Sequence, residues 1–145
     1  MSHIAFRVSA QELGAGAAVT IVPCVDGVPL PDLVRDAGLP PARRRRRRGP
    51  AGRYAGLKRD EVGWPSRHYL GEPALSWFGD GDTVLLGCTC GDWGCSPFTA
   101  TVTVRETVVC WSRFRTRRRE WDHRKLPVLT FDRAQYERAL RATRR

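Results

Sequence analysis

Six consecutive arginines, Arg43 to Arg48, restrict the fold of this chain more than any other feature. Like charges at this spacing repel one another, and guanidinium groups are almost never fully buried unless they are paired. A Pro-Pro pair lies just before the run and a Gly-Pro pair follows it, which is typical of a loop. We therefore predict a disordered, solvated arginine-rich loop at about residues 41–52. Because 145 residues is the length of one ordinary domain, we expect this loop to interrupt a single domain spanning 1–145.

The net charge of +10 is concentrated in two stretches of the sequence. The arginine run supplies six positive charges, and residues 113–145 hold twelve basic against four acidic residues. A domain that binds nucleic acid usually spreads its basic residues over one folded face, so we expect any such binding to be weak, non-specific and sensitive to salt. Since 23 of the 25 basic residues are arginine, compositional drift in a genome rich in G and C explains the same excess. The candidate residues for nucleic-acid contact are Arg113, Arg115, Arg117, Arg118 and Arg119.

Two extended segments begin the predicted fold. Residues 4–8 alternate apolar and polar side chains as a half-buried strand does, and residues 18–25 form a second, valine-rich run. Asp26-Gly27 is a dipeptide that two-residue hairpin turns favour, so residues 28–30 should pair back on the second strand. Pro31 then predicts the start of a short helix, because proline is tolerated in the first helical turn.

The second half of the chain predicts a β-meander. An irregular, aromatic-rich segment at 53–80 precedes three runs with the composition of strands, at 83–90, 98–105 and 107–114. In the middle run, threonines alternate with Phe98, alanine and valine, which indicates one buried face. Three adjacent strands in this order predict an antiparallel sheet.

The last predicted element is a helix over residues 133–143. Asp132 is a good N-cap, and Gln135 three residues later completes a capping box. Phe131 and Tyr136 occupy the two positions of a hydrophobic staple. The predicted fold is therefore a small α+β domain, in which the antiparallel sheet is packed by a short helix in the N-terminal half and by this C-terminal helix.

One group of residues can carry chemistry: Cys88, Cys90 and Cys95, in the pattern C-x-C-x4-C. Thiolates are the usual ligands of tetrahedral zinc, although structural zinc sites need four ligands and favour two pairs with longer gaps. Cys88 and Cys90 leave the same face of an extended strand, and a turn through residues 91–94 would return Cys95 towards them. Three sulfur atoms would then converge.

The fourth zinc ligand would have to come from elsewhere in the chain. We expect Cys110 in this role, because its strand belongs to the same predicted sheet, with Cys24 as the second choice. His68 and His123 are further candidates, and all four are remote from the cluster in sequence. We expect no bound cofactor, and zinc is the one alternative that the sequence leaves open.

Two other interpretations of the cysteines stay open. The one we favour is that the thiols pack as small hydrophobic groups while Gly91 and Gly94 serve a tight connection between strands. The other is a redox or disulfide role for Cys90 with Cys95. Reactive cysteines usually lie at helix N-termini or beside positive charge, whereas the nearest charged side chain in sequence is Asp92.

Four stretches of the chain carry a family resemblance. They are Val25-Asp26-Gly27, Leu85 to Cys95 with its CxCGxxGC motif, Trp111 to Phe114, and Phe131 to Glu137 with the helix start FDRAQYE. In these stretches the chain resembles a group of short, uncharacterised actinobacterial proteins, and the likeness covers most of the sequence outside the arginine run. The resemblance implies a stand-alone cytoplasmic protein and implies no activity.

The remaining residues argue against an enzyme. Nucleophilic catalysis needs a nucleophile, a base and an orienting group, and the sequence has neither this set nor a phosphate-binding glycine loop. We expect a non-enzymatic binding or regulatory module that contacts a protein partner or, weakly, nucleic acid. The alternative is a zinc-stabilised or thiol-redox protein that uses Cys88, Cys90 and Cys95. Apolar runs are far shorter than the roughly 20 residues that span a membrane, so we expect a cytoplasmic protein without membrane contact.

Overall fold

The structure, a computed structural model, describes residues 1–14, 16–38, 54–95, 97–116 and 126–144. The arginine-rich loop predicted at 41–52 lies outside the described residues. Within the described ranges, no helix has both the length and the apolar character that crossing a membrane requires.

The elements follow one another in the order β1 (Ile4–Leu13), β2 (Gly16–Val25), β3 (Val28–Pro29), α1 (Leu30–Gly38), β4 (Tyr54–Ala55), β5 (Leu57–Lys58), α2 (Arg59–Val62), a 3₁₀ turn (His68–Leu70), β6 (Thr83–Cys88), a second 3₁₀ turn (Trp93–Cys95), β7 (Phe98–Val104), β8 (Val108–Thr116), β9 (Leu129–Asp132) and α3 (Arg133–Arg141). This is a small α+β domain with antiparallel sheets, as the sequence predicts.

The strands form two sheets. In the first, β2 lies between β1 and β3 and also pairs with β5, and in the second the order is β4-β6-β7-β8-β9. The predicted β-meander is the β6-β7-β8 part of the second sheet and is confirmed. The predicted hairpin turn is confirmed as well, because both Asp26 and Gly27 have positive φ, at 51° and 84°.

Residues 54–58 connect the two sheets, although the sequence indicates only an irregular segment there. Tyr54 pairs with Cys88 in the second sheet, and Leu57 pairs with Ile21 in the first. Between them, a Cβ on Gly56 would lie 2.4 Å from the Ile21 carbonyl oxygen, so only glycine allows this close approach. Strands of two residues are too short to show a period, which is why the sequence did not predict them.

One hydrophobic core joins both sheets and α3, and its centre is aromatic. Trp111 and Tyr136 are fully buried, and Trp111 Nε1 donates a hydrogen bond to Tyr136 Oη at 3.1 Å. Tyr136 Oη in turn donates to the Tyr69 carbonyl oxygen at 2.7 Å. Phe6 packs against both tyrosine rings, with centroids 4.8 Å and 5.3 Å away. These contacts fix α3 on the core.

The start of α3 corrects one half of the predicted capping box. Asp132 accepts a hydrogen bond from the Gln135 backbone N–H at 3.0 Å, as expected of an N-cap. The Gln135 side chain does not return to Asp132 but pairs with Ile4 of β1, accepting from its N–H at 3.1 Å and donating to its carbonyl at 2.7 Å. The Gln135 side-chain amide thus makes the two hydrogen bonds to Ile4 that the backbone of a neighbouring strand would make. This contact between residues far apart in sequence determines the conformation of the Gln135 side chain.

Candidate metal centre

The three cysteines of the motif lie where β6 ends and the chain turns towards β7. Cys88 is the last residue of β6, and Cys95 ends the second 3₁₀ turn. Gly91, with a φ of 99°, donates its backbone N–H to the Cys88 carbonyl at 3.1 Å. The Cys95 N–H bonds to the Asp92 carbonyl at the same distance. Two short turns therefore bend residues 88–95 back on themselves, and glycine at position 91 allows the first of them.

This bend brings the three sulfur atoms together. All three Sγ atoms lie within 4.8 Å of one another, so the predicted convergence is confirmed. Cys88 is only 5% exposed, whereas Cys90 and Cys95 are exposed. The interpretation that the thiols pack as small hydrophobic groups therefore does not hold for Cys90 and Cys95.

Backbone N–H groups point at two of the sulfur atoms. The Cys90 N–H donates to Cys88 Sγ, and the Asp92 N–H donates to Cys90 Sγ, both at 3.4 Å. Hydrogen bonds of this kind stabilise negative charge on ligand sulfurs in metal sites. The Asp92 carboxylate itself is used within the turn, where it accepts from the Gly94 N–H at 3.0 Å. The turn is thus preorganised around the sulfur atoms.

The first sheet supports this turn from outside. The Gly14 N–H donates to the Thr89 carbonyl at 2.9 Å, and a Cβ on Gly14 would lie 2.9 Å from the Cys90 carbonyl oxygen. On β6, a Cβ on Gly87 would lie 2.8 Å from the Cα of Trp93. Both glycines are therefore needed for close packing, and the cysteine turn forms a contact between the β1–β2 hairpin and the second sheet.

The structure does not bring Cys110 to the cluster. Cys110 lies opposite Thr103 of β7, whereas Cys88 lies beyond Leu86, which pairs with Phe98. Thr103 follows Phe98 by five residue steps, which is about 16 Å along a strand. We expected Cys110 as a ligand because its strand belongs to the same sheet as Cys88. Sheet membership alone, however, does not specify where along its strand Cys110 lies.

Of the other proposed fourth ligands, the described residues Cys24 and His68 are not in the cluster either. Cys24 pairs with Ala5 near the end of the hairpin opposite Gly14, and burial raises the pKa of its thiol. His123 lies outside the described residues. Among the described residues, the ligand atoms that meet at this site are the three sulfurs of the motif.

His68 is a structural residue that the sequence did not reveal. Its Nε2 donates to the Val84 carbonyl at 2.7 Å, and its Nδ1 accepts from the backbone N–H groups of Ala74 at 3.0 Å and Leu75 at 3.3 Å. Both nitrogens are therefore used, and this pattern requires the neutral imidazole. Burial lowers the pKa of His68 to about 4.

A turn of residues 76–82 lies beside the cysteines and carries exposed aromatic side chains. The Trp77 and Trp93 rings meet edge to face with centroids 6.5 Å apart. The buried Asp82 carboxylate accepts hydrogen bonds from the Ser76 hydroxyl and from the backbone N–H groups of Trp77, Phe78 and Gly79. Burial raises the pKa of Asp82, but these hydrogen bonds outweigh it and leave the pKa below its usual value.

The two described arginines of the predicted nucleic-acid site are paired within the chain. Arg115 donates two hydrogen bonds to Asp80, at 3.0 Å and 2.9 Å, and lies 4.1 Å from the centroid of the Phe78 ring. Arg113 Nη2 lies 3.9 Å from the same carboxylate. The hydrogen bond from Arg115 holds the pKa of Asp80 below its usual value. Residues 117–119 lie outside the described residues, so nucleic-acid binding stays a prediction.

Comparisons of the chain with protein-family models, with curated proteins and with solved structures found no match.

Proposed function

We propose that this chain is a zinc-stabilised binding module, whose metal ion is held by Cys88, Cys90 and Cys95. The observation that carries the proposal is the approach of three sulfur atoms to within 4.8 Å of one another. Tetrahedral zinc with Zn–S bonds of about 2.3 Å places its sulfur ligands roughly 3.8 Å apart, so small side-chain rotations suffice to bind the ion. Thiolate ligands also favour zinc over hard ions such as magnesium and calcium.

Because Cys90 and Cys95 are exposed, solvent reaches the sulfur cluster. The proposed site has the open form, in which three protein ligands hold the ion and water fills the fourth position, whereas closed structural zinc sites have four protein ligands. The proposal therefore needs no fourth sulfur. It also does not require an enzymatic reaction, because zinc at this place connects the end of β6, the turn and the hairpin that rests on it.

The role of the metal follows from what the turn touches. Zinc would fix residues 88–95, and through Gly14 it would stabilise the contact between the two sheets. It would also fix Trp93, on which the exposed Trp77 packs. A module of this kind offers an ordered surface to a protein partner, and we retain weak, salt-sensitive nucleic-acid binding as the second expectation. Thiolate ligands need reducing conditions, which is consistent with a cytoplasmic protein.

The proposal is tested by the metal content and stability of protein purified without added metal. We expect one zinc ion per chain, and removal by a chelator should lower the free energy of unfolding by several kcal/mol. Cys95→Ser should lose the ion, whereas the matched control Cys110→Ser should keep it. Hydrogen exchange of the Gly14 amide should accelerate in the chelated protein. Absence of zinc from the wild-type chain, or equal zinc in both variants, would contradict the proposal.

A further inference from the structure

The three cysteines differ in accessibility, and this difference points to a modification site within the cluster. We infer that Cys90 and Cys95 form a reversible disulfide when the protein meets a peroxide, and that this disulfide releases the metal ion. The release step depends on the proposed function, whereas the disulfide can form with or without zinc.

Accessibility selects the pair. Cys90 and Cys95 are exposed, so a small oxidant reaches both sulfur atoms directly. Cys88 is 5% exposed and its sulfur accepts a hydrogen bond from the Cys90 N–H, so it is shielded inside the turn. Because the two exposed sulfurs already lie within 4.8 Å of each other, closing them to the S–S bond length of about 2.05 Å requires only a local movement.

The chain between the two cysteines can make this movement. Gly91 has a φ of 99°, and a Cβ on Gly94 would have as nearest neighbours the Asp92 carboxylate at 3.4 Å and the Trp77 ring at 3.5 Å. No backbone atom lies close to a Cβ at position 94, whereas Gly14 and Gly87 each pack directly against the backbone of another segment. The part of the turn nearest Cys95 has room to shift while Cys88 and Cys90 stay in place.

The chemistry balances with a peroxide as the oxidant. The Cys90 sulfur attacks one peroxide oxygen, the O–O bond breaks, and the other oxygen leaves as water after protonation, so that Cys90 becomes a sulfenic acid. The Cys95 sulfur then attacks the Cys90 sulfur, the S–S bond forms, and the second oxygen leaves as water. Two thiols and one peroxide molecule give one disulfide and two water molecules, and the two sulfurs supply the two electrons.

The disulfide removes two of the three metal ligands. Zinc is bound by thiolate sulfur, and a disulfide sulfur carries no charge and binds zinc poorly. Cys88 alone would remain, so the ion dissociates and the turn loses its link to the hairpin. Reduction by a dithiol restores both thiolates and the site. The two cysteines outside the cluster do not compete, since Cys24 is buried and Cys110 lies opposite Thr103, about 16 Å along β7 from Phe98, the residue nearest the cluster end of that strand.

The test uses the full-length, zinc-loaded chain and hydrogen peroxide. A colour-forming chelator follows zinc release, and mass spectrometry follows the loss of 2 Da that accompanies each disulfide. Trypsin combined with a protease that cleaves before aspartate separates peptide 82–91, with Cys88 and Cys90, from peptide 92–105, with Cys95. We expect these peptides to be linked, one zinc ion to be released per disulfide, and dithiothreitol to reverse both changes.

Variants identify the cysteines and separate this inference from the proposed function. Cys90→Ser and Cys95→Ser should abolish the link, Cys88→Ser should retain it, and Cys110→Ser should behave like the wild type. Zinc that stays bound under peroxide, or a link that needs Cys88, would overturn the inference while the zinc proposal stands. A Cys90–Cys95 link in protein that never binds zinc would overturn the proposed function and the release step but uphold the modification site.

Discussion

Acid should destabilise this domain in a pH window set by one buried histidine. The pKa of His68 is about 4 in the folded chain and 6.5 in an unfolded one, because burial disfavours the charged ring. Between these values the unfolded chain binds a proton that the folded chain does not. The stabilising contribution is therefore complete above about pH 6.5 and is lost as the pH falls towards 4.

The size of the stability loss follows from the pKa shift of His68, and the hydrogen bonds of its ring explain the shift. A lowering from 6.5 to about 4 corresponds to roughly 3 kcal/mol of unfolding free energy. Protonated Nδ1 would face the two N–H groups of Ala74 and Leu75, which are donors themselves. Ionisation of aspartate makes little contribution in this window, since an unperturbed aspartate titrates near 3.9.

The assay compares denaturant unfolding of the wild type and of His68→Leu between pH 7 and pH 4. The variant lacks the titrating ring, so it is less stable at pH 7 but should lose about 3 kcal/mol less than the wild type across the window. Metal loss at low pH affects both proteins and cancels in the difference. If the two proteins lose equal unfolding free energy, or if the His68 ring resonance titrates near pH 6.5, then His68 does not set the acid sensitivity of the domain.

Three further results are expected. Tyr69→Phe should leave stability unchanged or raise it by up to about 1–3 kcal/mol in thermal unfolding, because the buried Tyr69 Oη has no hydrogen-bond partner among the described residues; a clear loss would show a partner that this account lacks. Asp82→Ala should lower the unfolding free energy by about 2–4 kcal/mol, since the carboxylate binds several donors of one turn, and an effect near zero would contradict that role. Any affinity for duplex DNA should fall between about 50 and 200 mM salt with a slope near −0.9 per phosphate contact, and sequence-specific binding at physiological salt would overturn this expectation.

Much of the fold could be predicted because its signals are local. Asp26-Gly27 favours a tight turn, Asp132 caps a helix, and the threonine alternation of β7 indicates a strand, although Thr99 is as fully buried as its apolar neighbours. The predictions failed where a distant contact decides the structure. The two-residue strands β4 and β5 exist because β6 and β2 lie beside them, and Gln135 pairs with Ile4 because α3 packs against β1.

At the candidate site, too, local features could be predicted from the sequence, whereas features that depend on distant contacts could not. The convergence of the three sulfurs is confirmed, but strand geometry was the wrong reason for it: β6 ends at Cys88, so Cys90 lies in the turn and not on the same strand face. The turn through Gly91 brings the sulfurs together. The exposure of Cys90 and Cys95 could not be predicted, because it depends on how the turn packs against the hairpin at Gly14 and against β6 at Gly87. The expectation for Cys110 failed because sequence gives sheet membership more readily than strand register.

X-ray absorption at the zinc edge identifies the ligands of the bound ion in solution, and so it tests whether Cys88, Cys90 and Cys95 hold the zinc. For the wild-type chain with one equivalent of zinc, we predict three sulfur atoms at about 2.3 Å and one lighter donor, oxygen or nitrogen, at about 2.0–2.1 Å. Cys110→Ser should give the same spectrum, whereas zinc added to Cys95→Ser, which does not hold the ion, should lack the three-sulfur shell. A spectrum with four sulfur atoms in the wild type, or with none, would contradict the assignment of the ion to Cys88, Cys90 and Cys95.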